Sequence, residues 1–166
     1  GLSKRLTAET FKYYCRRDGL SLGKFLIPNP FGAHEEPRFT AYLMKNWLAG
    51  KKAACSSPAY VRDNIPVSLL AKAYAAFVGG LPDAPGFSKL GPIGYAESQG
   101  TFTLRLAEAM RQRLGLPCEV DLLKQVDFPE PRVRINTDVV DADALGWDES
   151  AAWDGMAEYY RKAALA

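Results

Sequence analysis

The chain has 166 residues, 48% hydrophobic and 24% charged, with a formal net charge of +2. That is enough for one globular core, and its scattered basic residues form no stripe for nucleic acid. No apolar run approaches the roughly 20 residues of a membrane span and no signal peptide opens the chain, while Cys15, Cys55 and Cys118 lack the spacing and histidine partners of a metal site, so they are read as reduced thiols of a cytoplasmic protein.

From Ser3 to Arg17, Leu6, Thr10, Phe11, Tyr14 and Cys15 fall at helical spacing with Lys12 and Arg16 outside, and Asp18-Gly19 ends the helix. Leu20 to Ile27 is a short apolar run behind a glycine stop, as in a buried parallel strand after a crossover helix. It leads into Pro28-Asn-Pro-Phe-Gly-Ala-His34, a loop at the carboxyl end of a strand, where open α/β sheets bind ligands.

Pro37 to Gly50 reads as a helix carrying Phe39, Tyr42, Leu43 and Trp47, Tyr60 to Ile65 as a strand, and Ser68 as the cap of a helix ending at Gly79-Gly80. Phe87 to Ile93 reads as a strand, Thr101 or Thr103 as the start of a helix with Leu106, Ala107, Met110 and Leu114 inside, and Cys118 to Lys124 as a strand. Asp138 to Leu145 and Ser150 to Ala164 read as helices.

Four landmarks recur in a fixed order: Gly-Leu-Ser-Lys4, Asn29-Pro-Phe-Gly32, Tyr60-Val-Arg-Asp-Asn-Ile-Pro-Val67 and Ala144-Leu-Gly-Trp147. In this order the chain resembles the C-terminal portion of an extended short-chain dehydrogenase/reductase, the NAD-dependent sugar epimerase and dehydratase family. The resemblance implies an α/β fold, with residues 1–34 as the last helix and strand of a Rossmann-type NAD-binding domain and 35–166 as an interleaved, smaller substrate-binding lobe. It also implies a catalytic tyrosine immediately before Gly1, so that the chain is expected to be a fragment that lacks redox activity alone.

Site roles follow from the same resemblance. Lys4 would be the catalytic lysine: a free tyrosine has a pKa near 10, and an ammonium one helical turn away favours its phenolate. Lys4, Ile27 and Pro28 would border the cofactor, NAD in preference to NADP. Asn29, Arg62, Arg132 and Phe39 would meet a nucleoside-diphosphate sugar, Arg62 because a planar guanidinium suits two phosphate oxygens. Arg134 is the alternative to Arg132, Asp63 is expected to orient Arg62 or to cap the approach to the next helix, and His34 is read as an ordinary loop histidine. The first helix implies a homodimer, with Leu2, Leu6, Phe11 and Tyr14 on the shared face.

Some residues depart from the family pattern. Leu26 stands where an arginine is frequent, and Pro66 and Ser68 replace histidine or tyrosine and aspartate, which argues against UDP-galactose 4-epimerase in particular. Two other readings stand beside the first: a free-standing interaction module derived from the family, and a reductase of the family with a non-nucleotide substrate.

Overall fold

The computed structural model describes residues 2–127 and 129–164. Gly1, which opens the Gly-Leu-Ser-Lys4 motif, lies outside them. Helix α1 (Leu2–Arg17) runs into strand β1 (Ser21–Phe25) through Gly19, whose φ of 69° supplies the left-handed turn that ends the helix. Strand β5 (Gly86–Leu90) pairs with β1 in parallel, Ser21 opposite Gly86 and Phe25 opposite Leu90. Both strands are half-exposed rather than buried, because this sheet has two strands among the described residues and α1 buries none of its own side chains against it.

A second sheet surrounds β4 (Val61–Pro66). On one side of it lie β2 (Asn29–Phe31) and β8 (Val133–Arg134), both parallel to it, and on the other lies β6 (Tyr95–Ser98), antiparallel. The expected loop at Asn29 is therefore a strand. Pro30, which has no N–H to give, is tolerated there because β2 is an edge. The third sheet is the parallel pair β3 (Ala53–Cys55) and β7 (Val120–Leu122).

Helices α2 (Phe39–Leu48), α4 (Gln99–Leu114) and α5 (Glu149–Ala164) enclose the core. Leu43, Met44 and Trp47 of α2 meet Phe102, Leu106 and Met110 of α4 and Trp153, Met156 and Tyr160 of α5. The recurrence of these residues every three or four positions is what turns each helix into one apolar face. Phe31, from β2, packs against Phe102 and Trp153 at ring separations of 5.1 and 5.3 Å. The same strand that carries Asn29 is thus nailed to the core two residues later.

Helix α3 (Val67–Gly79) follows β4 with no loop between them. Ser68 is consequently inside the helix and does not cap it; its hydroxyl accepts the indole N–H of Trp147 at 2.9 Å. Nor do Thr101 and Thr103 start α4. Its cap is Ser98, whose hydroxyl accepts the Thr101 N–H at 3.1 Å, while Thr103 bonds back to the Gln99 carbonyl.

The segment 138–145 is not a helix. Asp138 is held extended: its carboxylate accepts the Gly91 N–H at 2.7 Å, its own N–H reaches the Gly91 carbonyl, and Ile93 donates to its carbonyl. A single turn follows, closed by the Asp141 carboxylate on the Ala144 N–H and stopped by Gly146 at a φ of 58°. The strand expected over Phe87 to Ile93 ends at Leu90, leaving Pro92 in an isolated bridge to Asp138.

Candidate functional site

Strand β4 organises the polar site. Successive side chains of a strand face opposite ways, so Arg62 and Asp63 part company although they are neighbours in sequence. Asp63, 1% exposed, does not orient Arg62. Its two carboxylate oxygens accept the N–H groups of Gly94, at 2.7 Å, and Asn136, at 3.1 Å. Burial pushes its carboxyl above the ordinary aspartate range, and these two donors act against that shift.

Gly94 can come this close only because it has no Cβ. One placed there would lie 2.4 Å from the Asn64 carbonyl oxygen and 2.7 Å from the Ile65 Cα. Asn136 extends the linkage, its side-chain amide donating to the carbonyls of Leu26 at 3.0 Å and Pro92 at 3.2 Å. Asp63 and Asn136 together thereby fix the end of the first sheet, where the chain turns through Ile27 and Pro28 into β2, against the centre of the second.

On the other face Arg62 is 7% exposed. Its Nη1 donates to three carbonyls, those of Val61, Pro131 and Arg132, at 2.9, 3.2 and 3.1 Å, and its guanidinium lies 4.7 Å from the Tyr60 ring centre. Its Nη2 donates to Glu130 at 3.2 Å. Arg134, directly across the β4–β8 ladder from Arg62, reaches the same Glu130 oxygen at 3.8 Å. Arg132 turns instead to Asp127, at 2.9 Å. A cleft of about 390 Å³ opens over this cluster, lined by Ser57, Tyr60, Arg62, Gln99, Pro129 and Glu130.

Asn29 is half-buried and stands opposite Asn64 in the β2–β4 ladder. Asn64 donates its amide to Gln99 at 3.0 Å, so the two asparagines continue the polar line that Arg62 begins. Pro28 is half-buried and Ile27 is 65% exposed at the turn between the two sheets. Phe39 packs against the hydrophobic core. Lys4 is exposed and borders a different cleft, of about 290 Å³, with Phe11, Lys24, Phe25 and Phe87. None of Asn29, Arg62 and Arg132 lines that cleft.

A larger cavity of about 590 Å³ lies between α2 and α5. Glu35 enters it with its carboxylate bonded to the hydroxyls of Tyr160, at 2.6 Å, and Thr40. Burial raises the Glu35 carboxyl above its usual range and, with the carboxylate beside it, raises the Tyr160 phenol. His34, at a φ of 60°, packs its ring on Tyr159. No group of three or more histidine, cysteine or acidic side chains among the described residues is placed to hold a metal ion, and none of their helices is long and apolar enough to cross a membrane.

The sequence pointed to Arg62 but not to Asn64, Gln99, Glu130 or Asn136. Glu130 and Asn136 flank the arginines that drew attention, in Glu130-Pro-Arg-Val-Arg134 and Asn136-Thr-Asp138, and only the parallel pairing of β8 with β4 brings them to Arg62 and Asp63.

No protein-family profile matches the chain, and no curated protein matches it. Solved structures do. A UDP-glucose 4-epimerase from Stenotrophomonas maltophila, with bound NAD and formylated UDP-arabinopyranose, is 19% identical with a TM-score of 0.69, over 99% of this chain and 55% of its own. A UDP-N-acetylglucosamine 4-epimerase from Methanobrevibacter ruminantium, in complex with UDP-N-acetylmuramic acid, is 15% identical with a TM-score of 0.65, over 97% and 53%. A UDP-glucuronic acid 4-epimerase from Bacillus cereus, in complex with UDP-glucuronic acid and NAD, is 15% identical with a TM-score of 0.60, over 95% and 51%. The chain spans about half the length of each of them, and over that half its fold is that of the UDP-sugar 4-epimerases, which are extended short-chain dehydrogenase/reductases.

Proposed function

We propose that the chain forms the nucleotide-sugar-binding part of an NAD-dependent epimerase or dehydratase. The observation that carries this reading is Arg62: a buried guanidinium whose Nη1 is fixed by three carbonyls and whose Nη2 meets Glu130, both residues lining one open cleft. Such a group recognises a diphosphate, since its fork matches two phosphate oxygens and its orientation is set before the ligand arrives. Arg134, aligned with Arg62 and reaching the same carboxylate, is preferred to Arg132 as the second cation.

The likeness to epimerases with bound UDP-sugars supports the substrate class. It favours this reading over a reductase with a non-nucleotide substrate, which would give two converging guanidinium groups no use beyond their shared Glu130 carboxylate. In the reading, residues 1–34 belong to the cofactor domain and 35–166 to the substrate lobe. Asn29 and its partner Asn64 would extend the contact from diphosphate to sugar.

Two residues would meet one end of a dinucleotide. Lys4 offers an exposed ammonium on the first turn of α1, and Pro28 a half-buried apolar surface. The 166 residues include no G-x-G-x-x-G turn, so the cofactor's pyrophosphate would need donors from elsewhere. Bound NAD would supply reversible hydride acceptance. Lys4 would bind ribose hydroxyls and hold a neighbouring tyrosine as phenolate, with Arg62 and Arg134 anchoring the remote part of the substrate. Binding energy gathered there orients the sugar.

Calorimetric titration with UDP-glucose, UDP and NAD tests the assignment. UDP should bind to the chain, and Arg62→Lys, which keeps the charge and loses the fork, should weaken it about tenfold. UDP binding that ignores Arg62→Lys overturns the assignment.

A further inference from the structure

The position on Arg62 that an incoming phosphate would take is already filled. Resting on the reading above, we propose that Glu130 is an internal competitor for the diphosphate, a carboxylate latch over the Arg62 and Arg134 guanidinium groups that the ligand must displace and that discriminates against weakly charged ligands.

The geometry supports this assignment in three ways. First, Nη1 of Arg62 is committed to the carbonyls of Val61, Pro131 and Arg132, and one face of the group lies over Tyr60. Its Nη2 edge is the one turned to Glu130, and the Glu130 oxygen sits 3.2 Å from it. Second, that same oxygen is 3.8 Å from Nη1 of Arg134, so one carboxylate oxygen is shared between two cations. Third, Glu130 is exposed, its side chain to 51%, and it lines the cleft with Arg62 and Pro129.

These features make the glutamate easy to move and its backbone hard to move. Pro129 and Pro131 on either side restrict φ, and the Pro131 and Arg132 carbonyls are tied to Arg62 itself. The release is then a side-chain rotation into water, leaving the arginines where they stand. A half-exposed ion pair is weak. A diphosphate can give each guanidinium an oxygen of its own, whereas Glu130 makes two guanidinium groups share one, so the exchange favours the diphosphate.

The test is calorimetric titration of UDP into the 166-residue chain and into Glu130→Gln and Glu130→Ala, with circular dichroism to confirm that each variant is folded. Removing the negative charge should tighten UDP binding on the order of threefold, the strength of a half-exposed ion pair. Binding of UDP to Glu130→Gln when none is measurable with the unsubstituted chain supports the latch equally. If UDP binds and Arg62→Lys or the exposed Arg134→Gln weakens it while both Glu130 variants bind as before or less well, the latch is overturned and the diphosphate site stands. Should neither the chain nor Glu130→Gln bind UDP, both fall together.

Discussion

The Asn136 N–H donates to the carboxylate of Asp63 at 3.1 Å, across 73 residues of sequence. With Gly94 on the other oxygen, this one buried side chain holds two separate segments to the middle of β4, and neither donor is charged. The bonds are therefore positional: they set where Ile27, Pro28 and Arg134 stand relative to Arg62. Asp63→Asn puts an NH₂ against one of the two N–H donors, and it should cost about 2 kcal/mol in urea denaturation. A cost under about 0.5 kcal/mol would mean that the clamp contributes little.

Gly94 makes the same point by sterics. Gly94→Ala drives a methyl into the Asn64 carbonyl and Ile65, where backbone cannot yield as a flexible side chain would. It should destabilise by about 3 kcal/mol or prevent folding. Gly146→Ala, at a positive φ but with nothing within 4 Å of the added carbon, should cost only about 1 kcal/mol. Equal losses in thermal melts would remove the steric explanation.

Glu35 provides a pH signature. Its folded carboxyl is raised above the unfolded glutamate value of about 4.3 by burial. Its proton is thus favoured in the folded state, and the stability this contributes is complete below the unfolded pKa and lost as pH rises through the folded one. Glu35→Gln keeps the shape and removes that loss. The variant should gain stability relative to the parent as pH rises above the unfolded glutamate value, and denaturation curves at several pH values should show the difference growing with pH. A constant difference would contradict the burial of this carboxyl.

The Ser68 hydroxyl and the Trp147 indole N–H meet at 2.9 Å over 79 residues. Ser68→Ala should cost about 1 kcal/mol, and so should Trp147→Phe for its hydrogen bond alone, with the double variant little worse than the sum of one bond and the lost indole area. Strict additivity would return Ser68 to a local role in α3.

Leu2, Leu6, Phe11 and Tyr14 of α1 are exposed, and we propose them as the shared face of the homodimer that the resemblance implies. Sedimentation should show a dimer that Leu6→Glu with Phe11→Glu converts to monomer without loss of helix content. A monomeric parent would remove the proposal.

Helices α1 to α5 were legible because their signal is local, whereas 138–145 was misread as a helix. The stripes of Leu43 with Trp47 and of Leu106 with Met110 follow from spacing alone. The strands β2, β6 and β8 have three, four and two residues, too few for alternation to show, and each exists because β4 pairs with it. The site divides in the same way. Arg62 stood out by residue type and motif, while Glu130 and Asn136 acquire meaning from a register that sequence order does not display. Asp63 was misread because adjacency in a strand separates side chains.

The bond from Tyr160 to Glu35 closes the core across 125 residues, and that distance governs assembly. As the chain is synthesised, α2 and α4 form with their apolar faces bare, and the Trp153, Met156 and Tyr160 that cover them are added only after both helices have been made. Contacts this remote fold slowly, because the entropy of closing so long a loop is spent before packing repays it. A nascent chain halted anywhere before α5 would thus carry an open hydrophobic surface, and would be a natural client for chaperones.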